Sequence, residues 1–60
     1  MKMTCNDRTV FVEMNADRAI ERYLDFIDFA RSQADVVLLT NAVARVTLNN
    51  TSSTYRLLPA

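Results

Sequence analysis

The chain has 60 residues, half of them hydrophobic, and its seven basic and seven acidic side chains give a formal net charge of zero. This composition predicts a single small domain over residues 1–60 and no overall attraction to nucleic acid or to a membrane. Histidine and glycine are absent and Cys5 is the single cysteine. These absences exclude the usual general base, glycine-rich phosphate loops, Cys/His zinc sites and an intrachain disulfide.

The N-terminal part of the chain predicts one strand. Residues 1–7 are expected to be frayed, and no signal peptide or membrane-spanning stretch is visible, so a cytoplasmic location is expected. Residues 8–14 alternate with a period of two and are rich in β-branched and aromatic side chains, which predicts a strand. Cys5 has the cations Lys2 and Arg8 nearby but no histidine, so we interpret it as an incidental cysteine.

Residues 16–33 are predicted to form an amphipathic helix. Asn15 is a good N-cap, and Asp17 in the first turn suits the positive end of the helix dipole. At about 100° per residue, the apolar side chains form one broad face. This face consists of Ala19, Ile20, Tyr23, Leu24, Phe26, Ile27 and Ala30.

The C-terminal half predicts further strands. Residues 35–40 are an apolar run that is interpreted as a buried strand, residues 42–48 alternate as a second, and residues 54–58 return after a polar turn at 49–53. Because glycine is absent, the turns must use Asn and Asp. The alternative is a second helix through residues 34–47, where several apolar residues also fit helical spacing.

The predicted fold class is α+β. One amphipathic helix packs on one face of a small antiparallel or mixed sheet of three to four strands, in the order β-α-β-β, and the alternative order is β-α-α-β. Nine side chains are predicted to form the buried core: Val10, Val12, Ile20, Leu24, Ile27, Val37, Leu39, Val46 and Leu48.

Charge is distributed unevenly along the chain. All seven acidic residues lie in the first 35 positions, and four of them share one side of the predicted helix: Asp17, Glu21, Asp25 and Asp28. Like charges spaced four residues apart destabilise an isolated helix by about 0.2–0.5 kcal/mol per pair. The row is therefore interpreted either as a solvated face or as an acidic strip that docks on a basic surface, with Phe29 as an aromatic anchor.

The solvated-face interpretation includes local ion pairs. Arginines three residues away could relieve the repulsion through the pairs Arg18–Glu21, Arg22–Asp25 and Asp28–Arg31. A carboxylate metal site is not expected, because helical spacing sets these side chains in a line instead of around an ion.

A second candidate site lies near the C-terminus. Arg45, Tyr55 and Arg56 are cationic and aromatic residues on predicted strands, a combination that can stack on single-stranded bases. The competing interpretation is that they decorate an edge strand and discourage aggregation.

The leading hypothesis is a small non-enzymatic protein–protein interaction module that inhibits or modulates a larger, nucleic-acid-handling protein. It would form a homodimer through strand addition along residues 8–14 or 54–58. The alternatives are a nucleic-acid-binding protein that uses the C-terminal hairpin and a self-assembling structural protein. An enzyme or redox sensor acting through Cys5 is disfavoured, and no cofactor or metal is expected.

The small size, the missing glycine and histidine, and the charge layout of the chain resemble in general style the small accessory proteins of phages and mobile elements. Such proteins bind host enzymes. The likeness is an analogy of type and not a match of motifs.

Overall fold

In the computed structural model, which describes residues 1–59, one helix packs against a five-stranded antiparallel sheet. The strand order across the sheet is β2-β1-β5-β4-β3. The predicted α+β class is confirmed, but the element order is β-β-α-β-β-β. The elements are β1 Lys2–Cys5, β2 Arg8–Val12, α1 Ala16–Gln33, β3 Asp35–Thr40, β4 Val43–Leu48 and β5 Thr51–Leu58.

The helix α1 has the predicted bounds. Asn15 is its N-cap, with extended backbone, and the Asn15 side chain accepts a hydrogen bond from the Arg18 N–H at 3.0 Å. At the other end, Ala34 is extended (φ −155°) and leads directly into β3. The alternative of a second helix through residues 34–47 is therefore wrong, since this segment forms the β3–β4 hairpin rich in β-branched residues.

The N-terminal segment is a strand, so the expectation that residues 1–7 are frayed is wrong. Strand β1 pairs with β2 on one side and with β5 on the other. Met3 is only 2% exposed and belongs to the core. Backbone pairing on both edges and burial of a large apolar side chain hold this segment in place.

Two tight turns take the place of glycine turns. Asn6 and Asp7 connect β1 to β2 with φ of 50° and 70°, and Asn49 and Asn50 connect β4 to β5 with φ of 52° and 65°. Two successive residues at positive φ are typical of the hairpin turns whose twist matches that of the strands. The expectation that Asn and Asp supply the left-handed backbone is confirmed.

The core lies between α1 and one face of the sheet. Its buried residues are Met3, Ala19, Tyr23, Ile27, Ala44 and Leu57. Two of the core residues on the sheet, Met3 and Leu57, are neighbours because they lie opposite each other on the adjacent strands β1 and β5. Phe26 extends the core at its margin, with its ring centroid 4.5 Å from that of Tyr55.

The predicted core is largely wrong, because a single helix covers only one face of the sheet. Ile27 is buried and Val46 is partly buried, but the other seven predicted core residues are exposed. Strand alternation puts Val12 and Val37 on the face opposite α1, while Ile20 and Leu24 lie on a flank of the helix. In β4 the predicted inner face is the one that α1 covers, since Ala44 is buried and Val46 is partly buried, whereas in β2 and β3 the predicted core residues Val12 and Val37 lie on the other face.

No helix in the described part of the chain is long and apolar enough to cross a bilayer.

Candidate interaction surfaces

The outer side of α1 carries a row of acidic side chains. Its members, called here the acidic row, are all exposed: Asp17, Glu21, Asp25 and Asp28. The buried positions of α1 lie on the opposite side, so the row points away from the sheet. At a rise of 1.5 Å per residue, the row is about 16 Å long.

The acidic row has no cationic partner within residues 1–59. The two salt bridges found there are Arg22–Glu13 at 3.7 Å and Arg56–Asp7 at 3.4 Å. None of the three expected pairs with arginines along the helix forms. The part of the solvated-face interpretation that depends on local ion pairs is therefore wrong.

Arg22 shows why one of these pairs is missing. Its guanidinium carbon lies 4.1 Å from the centre of the Phe11 ring, and its nitrogen reaches Glu13. Attraction to the ring face and to the Glu13 carboxylate directs Arg22 towards β2 and away from the acidic row.

Phe29 lies beside the acidic row. It follows Asp25 by four residues, so the two side chains are neighbours on the helix surface. Phe29 is 65% exposed. The acidic row and Phe29 together form a charged strip with a large aromatic side chain on its flank.

The face of the sheet opposite α1 is uncovered, and it is called here the open face. Arg45 lies opposite Thr54, and Arg56 lies opposite both Thr4 and Val43. These pairs alternate with the core pairs, so both arginines point to the open face. The structure brings Arg45 and Arg56 together, as the second candidate site requires.

Lys2 extends the two arginines into a line, called here the cationic row. Lys2 lies on β1 opposite Leu58, two residues beyond Arg56, and Arg45 lies on β4 opposite Thr54, two residues before it. Each step crosses one strand and two residues, about 8 Å, so the row is about 16 Å long.

Tyr55 does not join the cationic row. It points to the helix side of the sheet, where it packs on Phe26. The Cys5 side chain, as hydrogen-bond partner, raises the pKa of Tyr55, and burial and the charge of Cys5 raise it further. The open face therefore offers the two predicted arginines without the predicted aromatic.

The strand edges of the sheet also differ from expectation. Residues 54–58 belong to β5, which is paired on both sides and cannot accept an added strand. The proposed self-association through that segment is therefore wrong. The edges are β2, within the other segment that was proposed, and β3.

The sequence patterns did not predict Lys2 as a site residue, and they did not predict an uncovered face of the sheet. Lys2 falls in the segment that was expected to be frayed. The sequence does contain a signal for the open face. The predicted strands carry apolar side chains on both faces, and one short helix can cover only one face of a sheet.

Features that hold small ligands are absent from the described residues. They form no pocket, and no three His, Cys, Asp or Glu side chains converge where a metal ion could bind. No family model matches the chain, no curated protein is similar to it in sequence, and no solved structure matches its fold.

Proposed function

We propose that this chain is a small non-enzymatic interaction protein that modulates or inhibits a larger, nucleic-acid-handling protein. The partner presents a basic surface to the acidic row, and Phe29 is the anchor of the contact. The observation that carries this proposal is a row of four exposed carboxylates without an ion-pair partner in residues 1–59.

Helix stability alone does not account for this arrangement. The repulsion between like charges costs α1 stability at each i, i+4 step, and no arginine offsets it through a salt bridge in the described structure. A basic partner surface would attract these carboxylates and so offset their mutual repulsion. The same attraction would speed association. Phe29 adds an aromatic contact of the kind that dominates binding energy at interfaces.

The test is capture of a partner by the immobilised protein at low and high salt. A Glu21→Lys/Asp25→Lys variant is expected to lose the partner. A matched variant, Asp7→Lys/Asp35→Lys, makes the same change in net charge away from the acidic row and is expected to retain it. Capture that is insensitive to the helix substitutions in a folded protein contradicts the proposal.

A second candidate function is binding of single-stranded nucleic acid on the open face. The position of Arg45, Arg56 and the partly buried Lys2 in one row on the open face favours it. Tyr55 faces the helix instead, which removes the base-stacking platform of such sites. The candidate predicts oligonucleotide binding that weakens as salt increases and that Arg45→Glu abolishes.

A further inference from the structure

We infer that the open face of the sheet is a docking site for the acidic row of a second copy of this chain. The contact is head to tail, with the helix of one protomer on the sheet of the next. This inference rests on the proposed function, because it names a second copy as one occupant of the acidic row.

The first argument is the match between the two charged rows. The acidic row and the cationic row are each about 16 Å long. They point in opposite directions from the molecule, one outward from α1 and the other outward from the sheet. The two rows are on opposite sides of the same sheet and cannot pair within one chain.

The second argument is the direction of the two rows. The helix starts four residues after Val12, the end of β2, and ends two residues before Asp35, at the far corner of the sheet. The cationic row runs the same way, from Lys2, which is opposite Val12, towards β3. A copy moved along the sheet normal, without rotation, therefore sets its acidic row along the cationic row.

The third argument is that both rows change sign at the same end. Beyond Arg45, the next position of the diagonal on the open face is Asp35, since Asp35 lies opposite Thr47. Beyond Asp28, the last turn of α1 carries Arg31. In the stacked arrangement the acids meet the cations and Arg31 approaches Asp35, whereas the reverse orientation brings acid to acid.

Apolar side chains flank both rows. Val12 and Val37 are on the open face to either side of the cationic row, 57% and 55% exposed. Leu24 and Phe29 are on either side of the acidic row, 52% and 65% exposed. Each surface thus has a charged centre and an apolar margin, and docking would remove the margins from water.

Symmetric pairing is disfavoured by the same charges. Two helices placed face to face would bring acidic rows together, and two open faces would bring cationic rows together. A head-to-tail contact has no such conflict, and it repeats along a stack because the two ends of any stack carry free rows of opposite sign. The contact is about 27 Å long and about 10 Å wide, smaller than standard interfaces, so association is expected to be weak and salt-sensitive.

Self-association would also control access to the acidic row. A protomer whose row is docked on another copy cannot present it to a larger basic protein. Stacking and partner binding therefore compete.

The test is sedimentation of the purified protein and of two charge-reversed variants. In about 10 mM salt, where charges act over long distances, the wild-type protein is expected to associate. The sheet variant Arg45→Glu/Arg56→Glu and the helix variant Glu21→Lys/Asp25→Lys are each expected to weaken association by about tenfold or more. A control, Arg8→Glu, reverses one charge outside both rows and outside the Arg31–Asp35 contact and is expected to associate like wild type, whereas the matched single reversal Arg45→Glu is expected to weaken association.

The decisive step is to mix the two variants. The reversed helix of one fits the reversed sheet of the other, and the two unaltered rows also fit, so the mixture is expected to associate while each variant alone does not. A mixture that stays monomeric overturns the inference. So does a wild-type protein that is monomeric up to about 1 mM, the range of very weak contacts.

The same experiments separate this inference from the proposed function. If the wild-type protein is monomeric but captures a foreign protein through the acidic row, the inference falls and the proposed function stands. If the mixed variants associate and no foreign protein is captured, the inference stands and the proposal of a larger protein partner is contradicted. Binding of oligonucleotide to the open face of a monomeric wild-type protein overturns the inference in favour of the nucleic-acid candidate.

Discussion

Arg22 of the helix lies over the ring of Phe11 on strand β2, with its guanidinium carbon 4.1 Å from the ring centre. The same side chain reaches Glu13 at 3.7 Å. Arg22 thus links the helix to edge strand β2, which otherwise has few contacts with the helix. It also leaves the acidic row without a cation that the sequence places three residues from Asp25.

Replacement of Arg22 tests how much its contact with Phe11 contributes to stability. Arg22→Ala is expected to lower the free energy of unfolding by about 0.5–1 kcal/mol, the usual range for an exposed cation–π contact. Arg22→Lys retains the charge but loses the planar group, so it is expected to recover only part of the loss. Chemical denaturation measures both. Equal stability of all three proteins would show that the contact with Phe11 contributes nothing.

The buried hydroxyl of Tyr23 offers a substitution that should stabilise the protein. Tyr23 is 1% exposed, and its oxygen has no hydrogen-bond partner in the described residues. Tyr23→Phe removes this burial cost while the ring stays in place, so the free energy of unfolding is expected to rise by about 1 kcal/mol at neutral pH. A loss of stability would mean that the hydroxyl is satisfied in solution.

Tyr23 also predicts a loss of stability in alkali. Burial raises the pKa of Tyr23 above its ordinary 10.0. As pH rises past that value, the unfolded chain releases the phenolic proton while the folded chain retains it, so stability present below pH 10.0 is lost above it. Denaturation from about pH 8 to about pH 11 is expected to show a steeper decline for wild type than for Tyr23→Phe. Parallel curves would exclude this linkage.

Two aliphatic residues of α1 distinguish the covered face of the helix from its flank. Ile27 is 3% exposed and Leu24 is 52% exposed. Ile27→Ala is expected to cost about 2–5 kcal/mol, comparable with the whole stability of a domain of this size. Leu24→Ala, which removes the same number of carbon atoms, is expected to cost about 1 kcal/mol or less. Thermal unfolding of the two variants compares them, and an equal loss would contradict the orientation of the helix.

The turn between β4 and β5 gives a backbone test. Asn50 has a φ of 65°, a region that costs most L-residues about 1–2 kcal/mol. Asn50→Ala is therefore expected to lower the unfolding temperature, and Asn50→Gly is expected to maintain or raise it, since Asn-Gly is a favoured pair in such turns. The opposite order would mean that the side chain of Asn50 matters more than its backbone.

Sequence patterns predicted the helix well because its signals are local. The N-cap Asn15, the apolar spacing and the acidic first turn lie within one segment and agree with one another. The β3–β4 hairpin was also predicted, from its β-branched residues and alternation. These features depend on neighbours in the chain, which a sequence displays directly.

The parts that failed depend on distant contacts. Strand β1 has four residues, too few for a pattern, and exists because β2 and β5 pair with its two edges. Val12 and Phe11 are both suited to a core, and only the position of α1 decides that Phe11 is covered. The acidic row was predicted by spacing alone, but the cationic row requires the register of three strands.

The central position of β5 has a consequence for how the protein reaches its native state. The β1–β2 and β3–β4 hairpins share no strand pairing, and β5 joins them by lying between β1 and β4. Lys2 therefore meets Leu58 across almost the whole sequence, so the sheet closes only after the largest loss of chain entropy. Closure, which is the pairing of β1 with β5, is expected to be the slow step of folding, because the β1–β2 hairpin, the helix and the β3–β4–β5 strands form from local contacts.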